Sequence, residues 1–136
     1  MNDKVLLDTN LWVYLYSKNP EDKYTKVYEL LSNRIASLII STQVLGELYN
    51  VLRRKKFRTQ PQAQEIISQL VGGFDILEID SSKVLKAIEI NGRYGYSYWD
   101  SLLLATALLS DCTTLYSEDM QPNQLIENQL RIINPL

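Results

Sequence analysis

A chain of 136 residues, 46% hydrophobic and 22% charged, is long enough to bury a core, and its net charge of −2 points neither toward nucleic acid nor away from it. It contains no histidine, which excludes Ser-His-Asp triads, Cys-His pairs, histidine-ligated zinc and imidazole acid–base catalysis. Its one cysteine, Cys112, can close neither an internal disulfide nor a cysteine-rich zinc site and reads as a small buried hydrophobe.

The sequence opens Met1-Asn2-Asp3-Lys4 and enters Val5-Leu6-Leu7 directly, with neither a basic-then-apolar leader nor a run of about 18 apolar residues. A soluble, cytoplasmic protein with no membrane partner is expected, residues 1–136 forming one domain. Val5-Leu6-Leu7 reads as a short strand buried on both faces, as in a parallel sheet covered by helices. Asp8-Thr9-Asn10 closes it, and Leu11 to Tyr16 continues as a helix. In open α/β sheets ligands gather beyond the carboxyl ends of the strands, where Asp8 would lie; the competing reading is a plain helix cap.

A turn at Asn19-Pro20-Glu21-Asp22 opens a second helix that runs to about Asn33. Ser37 to Ser41 is a second buried strand. The helix after it carries Val44, Leu48 and Val51 as an apolar stripe, and at 100° per residue Glu47 falls roughly 40 to 60° from that stripe, on its flank. This helix ends in Arg53-Arg54-Lys55-Lys56, the one basic cluster. Cations suit a last helical turn, and the same four residues are candidates for contacts to phosphates.

Pro61 to Leu70 predicts a helix terminated by Gly72-Gly73, and Phe74 to Ile79 alternates as a strand open to water on one side. Ser81 or Ser82 is expected to cap the next helix. Asn91-Gly92 then begins an aromatic loop in which Tyr94 and Tyr96 are candidates to stack on bases, while Tyr98 and Trp99 are expected to pack against the helix that follows. That helix, Tyr98 to Leu109, is apolar almost all round and so predicted to be buried. Asp100 sits in its first turn, where the dipole and free N–H groups favour negative charge; Ser97 to Asp100 also fits a capping box. Thr113 to Tyr116 is a further strand ending in acids, Ser117-Glu118-Asp119. Leu125-Ile126 is expected as a short helix or turn and Ile132-Ile133 as an edge strand.

Alternating strands and helices imply an α/β protein with a parallel sheet, right-handed crossovers and helices on both faces. The ends bearing Asp8, Glu47 and Asp119 would then share one edge beside Asp100. Four carboxylates together raise one another's pKa values. A hard divalent ion with oxygen ligands, magnesium or manganese, resolves the repulsion.

With these motifs in view, the sequence resembles the PIN-domain ribonucleases, and among them the VapC-type toxins of toxin–antitoxin pairs. The resemblance rests on Asp8-Thr9-Asn10, on Ser41 with Glu47, on Tyr98-Trp99-Asp100 leading into Ala105-Thr106-Ala107, and on Leu115-Tyr116-Ser117-Glu118-Asp119-Met120, in that order. It implies a PIN-like three-layer α/β/α sandwich with a central, mostly parallel sheet and metal-dependent endonucleolytic cleavage of RNA. It also implies a homodimer and a cognate antitoxin. Asp8 and Asp100 match the family's principal metal-binding aspartates, Glu47 its second acid and Asp119 its fourth; Asn10, Ser41 and Ser117 match supporting polar positions. Gln121-Pro122-Asn123 departs from the pattern, standing where many toxins have a glycine. Two other classes compete: a PIN-like fold kept as a non-catalytic binding module, and a phosphoacceptor receiver domain. The latter should show adjacent acids after the first strand and a lysine after the last, and neither is present.

Overall fold

The computed structural model describes residues 3–136; Met1 and Asn2, with which the expectation about a leader begins, lie outside the described residues. In chain order the elements are β1 (Lys4–Leu7), α1 (Thr9–Ser17), α2 (Glu21–Arg34), a 3-10 turn (Ile35–Ser37), β2 (Leu38–Ser41), α3 (Thr42–Arg54), α4 (Gln60–Gly73), β3 (Asp75–Leu77), α5 (Ser81–Tyr94), α6 (Tyr98–Leu109), β4 (Cys112–Tyr116), β5 (Leu125–Ile126) and β6 (Leu130–Ile133). The strands form one sheet in the order β3-β2-β1-β4-β6-β5, parallel throughout except for β5, which runs antiparallel to β6. Helices layer the sheet on both faces, the predicted three-layer arrangement.

The uninterrupted apolar strands, β1 and β2, lie inside the sheet with a neighbour on either side. Val5, Leu6 and Leu7 of β1 are wholly buried, and β2 is buried along its length. Burying one such side chain contributes about 1.5–3 kcal/mol, so the middle of the sheet anchors the molecule. Helix α6 is buried from Ser101 to Leu108, as its all-round apolarity requires. The Thr106 hydroxyl inside it donates to the Leu102 carbonyl at 2.8 Å, which removes the cost of burying a polar group. Cys112 is buried as expected, and burial pushes its thiol up to about 12. No helix among the described residues is long and apolar enough to cross a membrane.

Several local expectations are corrected. Helix α4 begins earlier, at Gln60, because Thr59 and Gln62 form a reciprocal capping box, and it continues through Gly72-Gly73 before Phe74 turns extended. Strand β3 is only Asp75–Leu77, an edge strand paired on one side. Asp80, not Ser81 or Ser82, caps α5, its Oδ1 accepting from the Lys83 N–H at 3.1 Å. That helix runs past Asn91-Gly92 to Tyr94 and ends where Gly95 adopts φ +79°, a left-handed conformation suited to glycine. Leu125–Ile126 is a strand rather than a helix or turn, and it takes the sheet edge, so β6 lies inside.

Candidate active site

Asp8 follows β1 and caps α1. Its Oδ1 accepts the Thr9 N–H at 2.7 Å, and its backbone N–H extends the β1–β4 ladder by donating to the Tyr116 carbonyl at 2.9 Å. Its Oδ2 accepts from the Ser117 hydroxyl, just beyond β4, at 3.0 Å. The Ser117 oxygen in turn accepts the N–H groups of Asp119 and Met120, each at 3.3 Å, and so shapes the loop that carries Asp119. Asp119 Oδ2 accepts from the Asn10 amide at 2.7 Å, and Glu47 Oε1 accepts from the Thr9 hydroxyl at 2.7 Å. Three consecutive residues, Asp8, Thr9 and Asn10, thereby tie together β4, α3 and the start of α1.

Ser41 is fully buried and acts differently: its hydroxyl accepts the Val44 N–H at 3.2 Å and caps the helix on which Glu47 rides. Asp100 lies in the first turn of α6, where its N–H donates to the Ser97 hydroxyl at 3.1 Å. The hydrogen bonds of the described residues contain no return bond from the Asp100 carboxylate to the Ser97 backbone, so only half of the capping box forms.

Asp8, Glu47, Asp100 and Asp119 line one crevice of about 290 Å³, together with Thr9, Asn10, Asn50, Val51 and Arg54. Burial is the main reason that Asp8 is pushed up to about 6; the hydrogen bonds from Ser117 and Thr9 oppose the shift, and the charges of Asp100 and Asp119 add to it. Burial also raises Asp100, reinforced by the charges of Asp119 and Glu47 and opposed by Ser97. Among the described residues none of the four acids forms an ion pair with lysine or arginine.

The family can be read from the chain as a whole, for residues 5–125 match the model of the PIN domain. The chain belongs to the PIN domain family. This assignment removes the receiver-domain alternative. A comparison with curated proteins finds no match. Among solved structures, a chain of a toxin–antitoxin complex from Klebsiella pneumoniae is similar at 20% identity and a TM-score of 0.76, covering 98% of each chain. VapC20 of Mycobacterium tuberculosis, described as a sarcin–ricin loop cleaving toxin, is similar at 19% identity and a TM-score of 0.70, over 85% of this chain and 90% of that one. DNA-bound VapBC from Salmonella typhimurium gives 16% identity and a TM-score of 0.73, over 98% and 99%.

Within this PIN domain, the donor set suits a hard cation. Carboxylate oxygens crowd one crevice without a neutralising partner. Yet no group of three or more acids among the described residues closes into a set that could hold an ion by itself. The residues present would therefore hold a divalent cation only through one or two carboxylates, with waters filling its other positions.

The basic cluster divides in the structure. Arg54 lines the crevice, two turns along α3 from Glu47. Arg53 donates to the Arg58 carbonyl at 3.2 Å, Lys55 terminates α3, and Lys56 has a left-handed backbone with φ 59°. Tyr94 and Tyr96 are half-buried, and their hydroxyls are engaged within the fold. Tyr94 accepts the Glu127 N–H at 3.0 Å, while Tyr96 donates to Gln124 Oε1 at 2.5 Å and accepts the Gln121 N–H at 3.2 Å. Through these hydroxyls they fasten the segment that carries the C-terminal strands. Trp99, expected to be packed, is 63% exposed. Thr9 and Asn50 escaped the sequence reading. Thr9 sits inside the Asp8-Thr9-Asn10 motif, and a helical projection from Glu47 would have placed Asn50 beside it.

Proposed function

We propose that this PIN domain is a metal-dependent endoribonuclease that hydrolyses phosphodiester bonds in RNA, with residues 1–136 as one nuclease domain. One observation carries the reading: Asp8, Glu47, Asp100 and Asp119, from four separate places in the chain, line one crevice with no ion-pair partner among the described residues. Asp8 and Asp100 would hold a divalent ion, magnesium or manganese in its place, with Glu47 and Asp119 completing its surroundings through water. When bound, such an ion offsets charge on the scissile phosphate and makes water easier to deprotonate.

The chain's own groups do the rest. With no histidine available, Glu47 or Asp119 orients the attacking water and accepts its proton. The water oxygen bonds to phosphorus as the bond from phosphorus to the leaving ribose oxygen breaks. Thr9 holds Glu47 in place for this, Asn10 holds Asp119, and Ser117 fixes Asp8. Arg54 offers a positive charge to a neighbouring phosphate.

The likeness to toxin–antitoxin complexes supports a further part of the same proposal: the chain acts as a cytoplasmic toxin, forms a homodimer and is restrained by a cognate antitoxin protein. The experiment is cleavage of an RNA panel with and without Mg²⁺ by the wild type, Asp8→Asn and Asp100→Asn. Only the wild type with Mg²⁺ should cut, and equal cutting by all three proteins refutes the site. In cells, expression of the wild type should arrest growth and Asp100→Asn should not. Unimpeded growth with the wild type would overturn the toxin role and leave the nuclease standing.

A further inference from the structure

Beside the acid crevice lies a second, mostly apolar concavity of about 510 Å³, walled by Gln43, Gly46, Ile79, Trp99 and Leu102. Glu47 lines both, so the two adjoin at that residue. Two residues of this groove stand out. The first is Gly46, in the interior of α3, where glycine weakens a helix. A Cβ built there would meet nothing within 4 Å, so no neighbour in the fold requires the side chain to be missing. The bare patch of helix faces open space. The second is Gln43. Its amide nitrogen donates to the Trp99 carbonyl at 3.0 Å and holds the start of α3 against that of α6, while its Oε1 is buried with no partner among the described residues. Buried acceptors of this kind are rare and are ordinarily completed by an ordered water.

Trp99 gives the groove its chemistry. It is the residue before Asp100, in the same first turn of α6, and its indole stands edge-on to Tyr98 at 5.0 Å, 63% exposed. An RNA strand whose phosphate enters the neighbouring crevice meets four carboxylates that repel it, so part of its affinity must come from contacts indifferent to charge. Stacking of a base on an aromatic ring is such a contact.

We propose that this groove is a nucleobase subsite, in which an unpaired base next to the phosphate in the acid crevice stacks on Trp99 across the bare helix at Gly46. The proposal rests on the nuclease reading and deepens it: the substrate must be single-stranded or looped at the cut, because a base held in a duplex cannot reach the groove.

The test uses the full chain with Trp99→Ala, Trp99→Phe and Gly46→Leu. The last fills the groove from a helical position that tolerates a side chain and leaves Trp99 and the acids untouched. Cleavage of a hairpin RNA should occur in its loop. Trp99→Ala and Gly46→Leu should each raise KM about tenfold with kcat within about threefold, while Trp99→Phe keeps most of the wild-type KM. In the Asp8→Asn protein, a single-stranded RNA oligonucleotide should quench tryptophan fluorescence, and Trp99→Phe should abolish the quench because Trp12 is buried. An abasic oligonucleotide should not quench.

Unchanged KM and affinity in both groove variants, or equal cutting of duplex and loop, would overturn the subsite while leaving the nuclease intact. Variants that change only self-association or the binding of a partner protein would overturn it too, by making the groove a protein-docking surface. A wild type that quenches with RNA and cuts none would sink the nuclease reading and keep the groove.

Discussion

Glu118 and Asp119 follow one another in the chain, yet they belong to two regions with opposite electrostatics. Glu118 turns toward α1 and α2, where the Tyr14 hydroxyl and the Lys23 ammonium donate to its two oxygens, each at 2.5 Å. Burial alone would raise Glu118, but the hydrogen bonds from Lys23 and Tyr14 prevail and hold it below the ordinary range. Asp119 turns the other way, into the crevice with Asp8, Glu47 and Asp100, where nothing cationic pairs with an acid among the described residues and burial pushes Asp8 up to about 6. A carboxylate whose charge is matched within the chain is a clip; carboxylates left unmatched together are a place for a cation. Residue type does not separate the two roles, but the elements packed around each residue do.

The contrast breaks most easily at Asp100. Replacing it with Asn should cut Mg²⁺-dependent RNA cleavage on the order of 10²–10³-fold, read from rates on a labelled RNA, with the fold retained by circular dichroism. Retained activity would mean that the unpaired acids are not the site.

Asp8 offers the next largest effect, on stability. Its folded carboxyl binds a proton more tightly than the unfolded value of 3.8, near 6, so the folded state is favoured by protonation. Below about pH 4 both states are protonated and no penalty exists. As pH rises through 6 the buried carboxylate ionises and the full cost develops, at most about 3 kcal/mol from the two-unit difference. In chelator, wild-type Tm should therefore fall between pH 4 and 7. Asp8→Asn should flatten that slope and be the more stable protein at pH 7.5, and saturating Mg²⁺ at that pH should raise Tm for the wild type alone. A wild type that gains stability across the same window would contradict the burial argument.

Arg54 sharpens the comparison from the crevice rim. Arg54→Ala should raise KM a few-fold and lessen the salt dependence of RNA binding, whereas Lys56→Ala should change either by less; equal effects would make the cluster a diffuse patch. Smallest of all is Glu118→Gln, which should cost less than about threefold in cleavage, since the Ser117 hydroxyl still grips the N–H groups of Asp119 and Met120. If it proved as damaging as Asp100→Asn, the clip and the crevice would be one unit.

What could be read from sequence follows the same division. Strands β1 and β2 announced themselves because their apolar runs are unbroken, and α6 because no face of it is polar; such patterns are local and survive projection onto a line. The recurrence of an acid after a strand was enough to pick out Asp8, Asp119 and the α3 helix bearing Glu47, which the fold brings to one crevice. Direction was not legible. Trp99 looked like core because it leads into a buried helix, yet of the two aromatic neighbours only Tyr98 packs against the core while Trp99 faces out. Nor were the partners of the Tyr94 and Tyr96 hydroxyls legible, since Gln121, Gln124 and Glu127 come about 30 residues later. Asp80 took the cap from its serine neighbours because its carboxylate reaches the Lys83 N–H, a competition among adjacent polar residues that spacing cannot decide.

The contact from Ser117 to Asp8 closes a span of 109 residues, and β1 borders β4, a late strand, in the middle of the sheet. At the usual pace of about 5–20 residues per second, a ribosome takes roughly 5 to 20 s after delivering Asp8 before the partner of that side chain has even been polymerised. During that interval Glu47 and Asp100 are added in turn, and with Asp119 still to come the crevice cannot be complete. Assembly of the crevice thus waits for β4 and the loop beyond it, a delay written into the order of the strands.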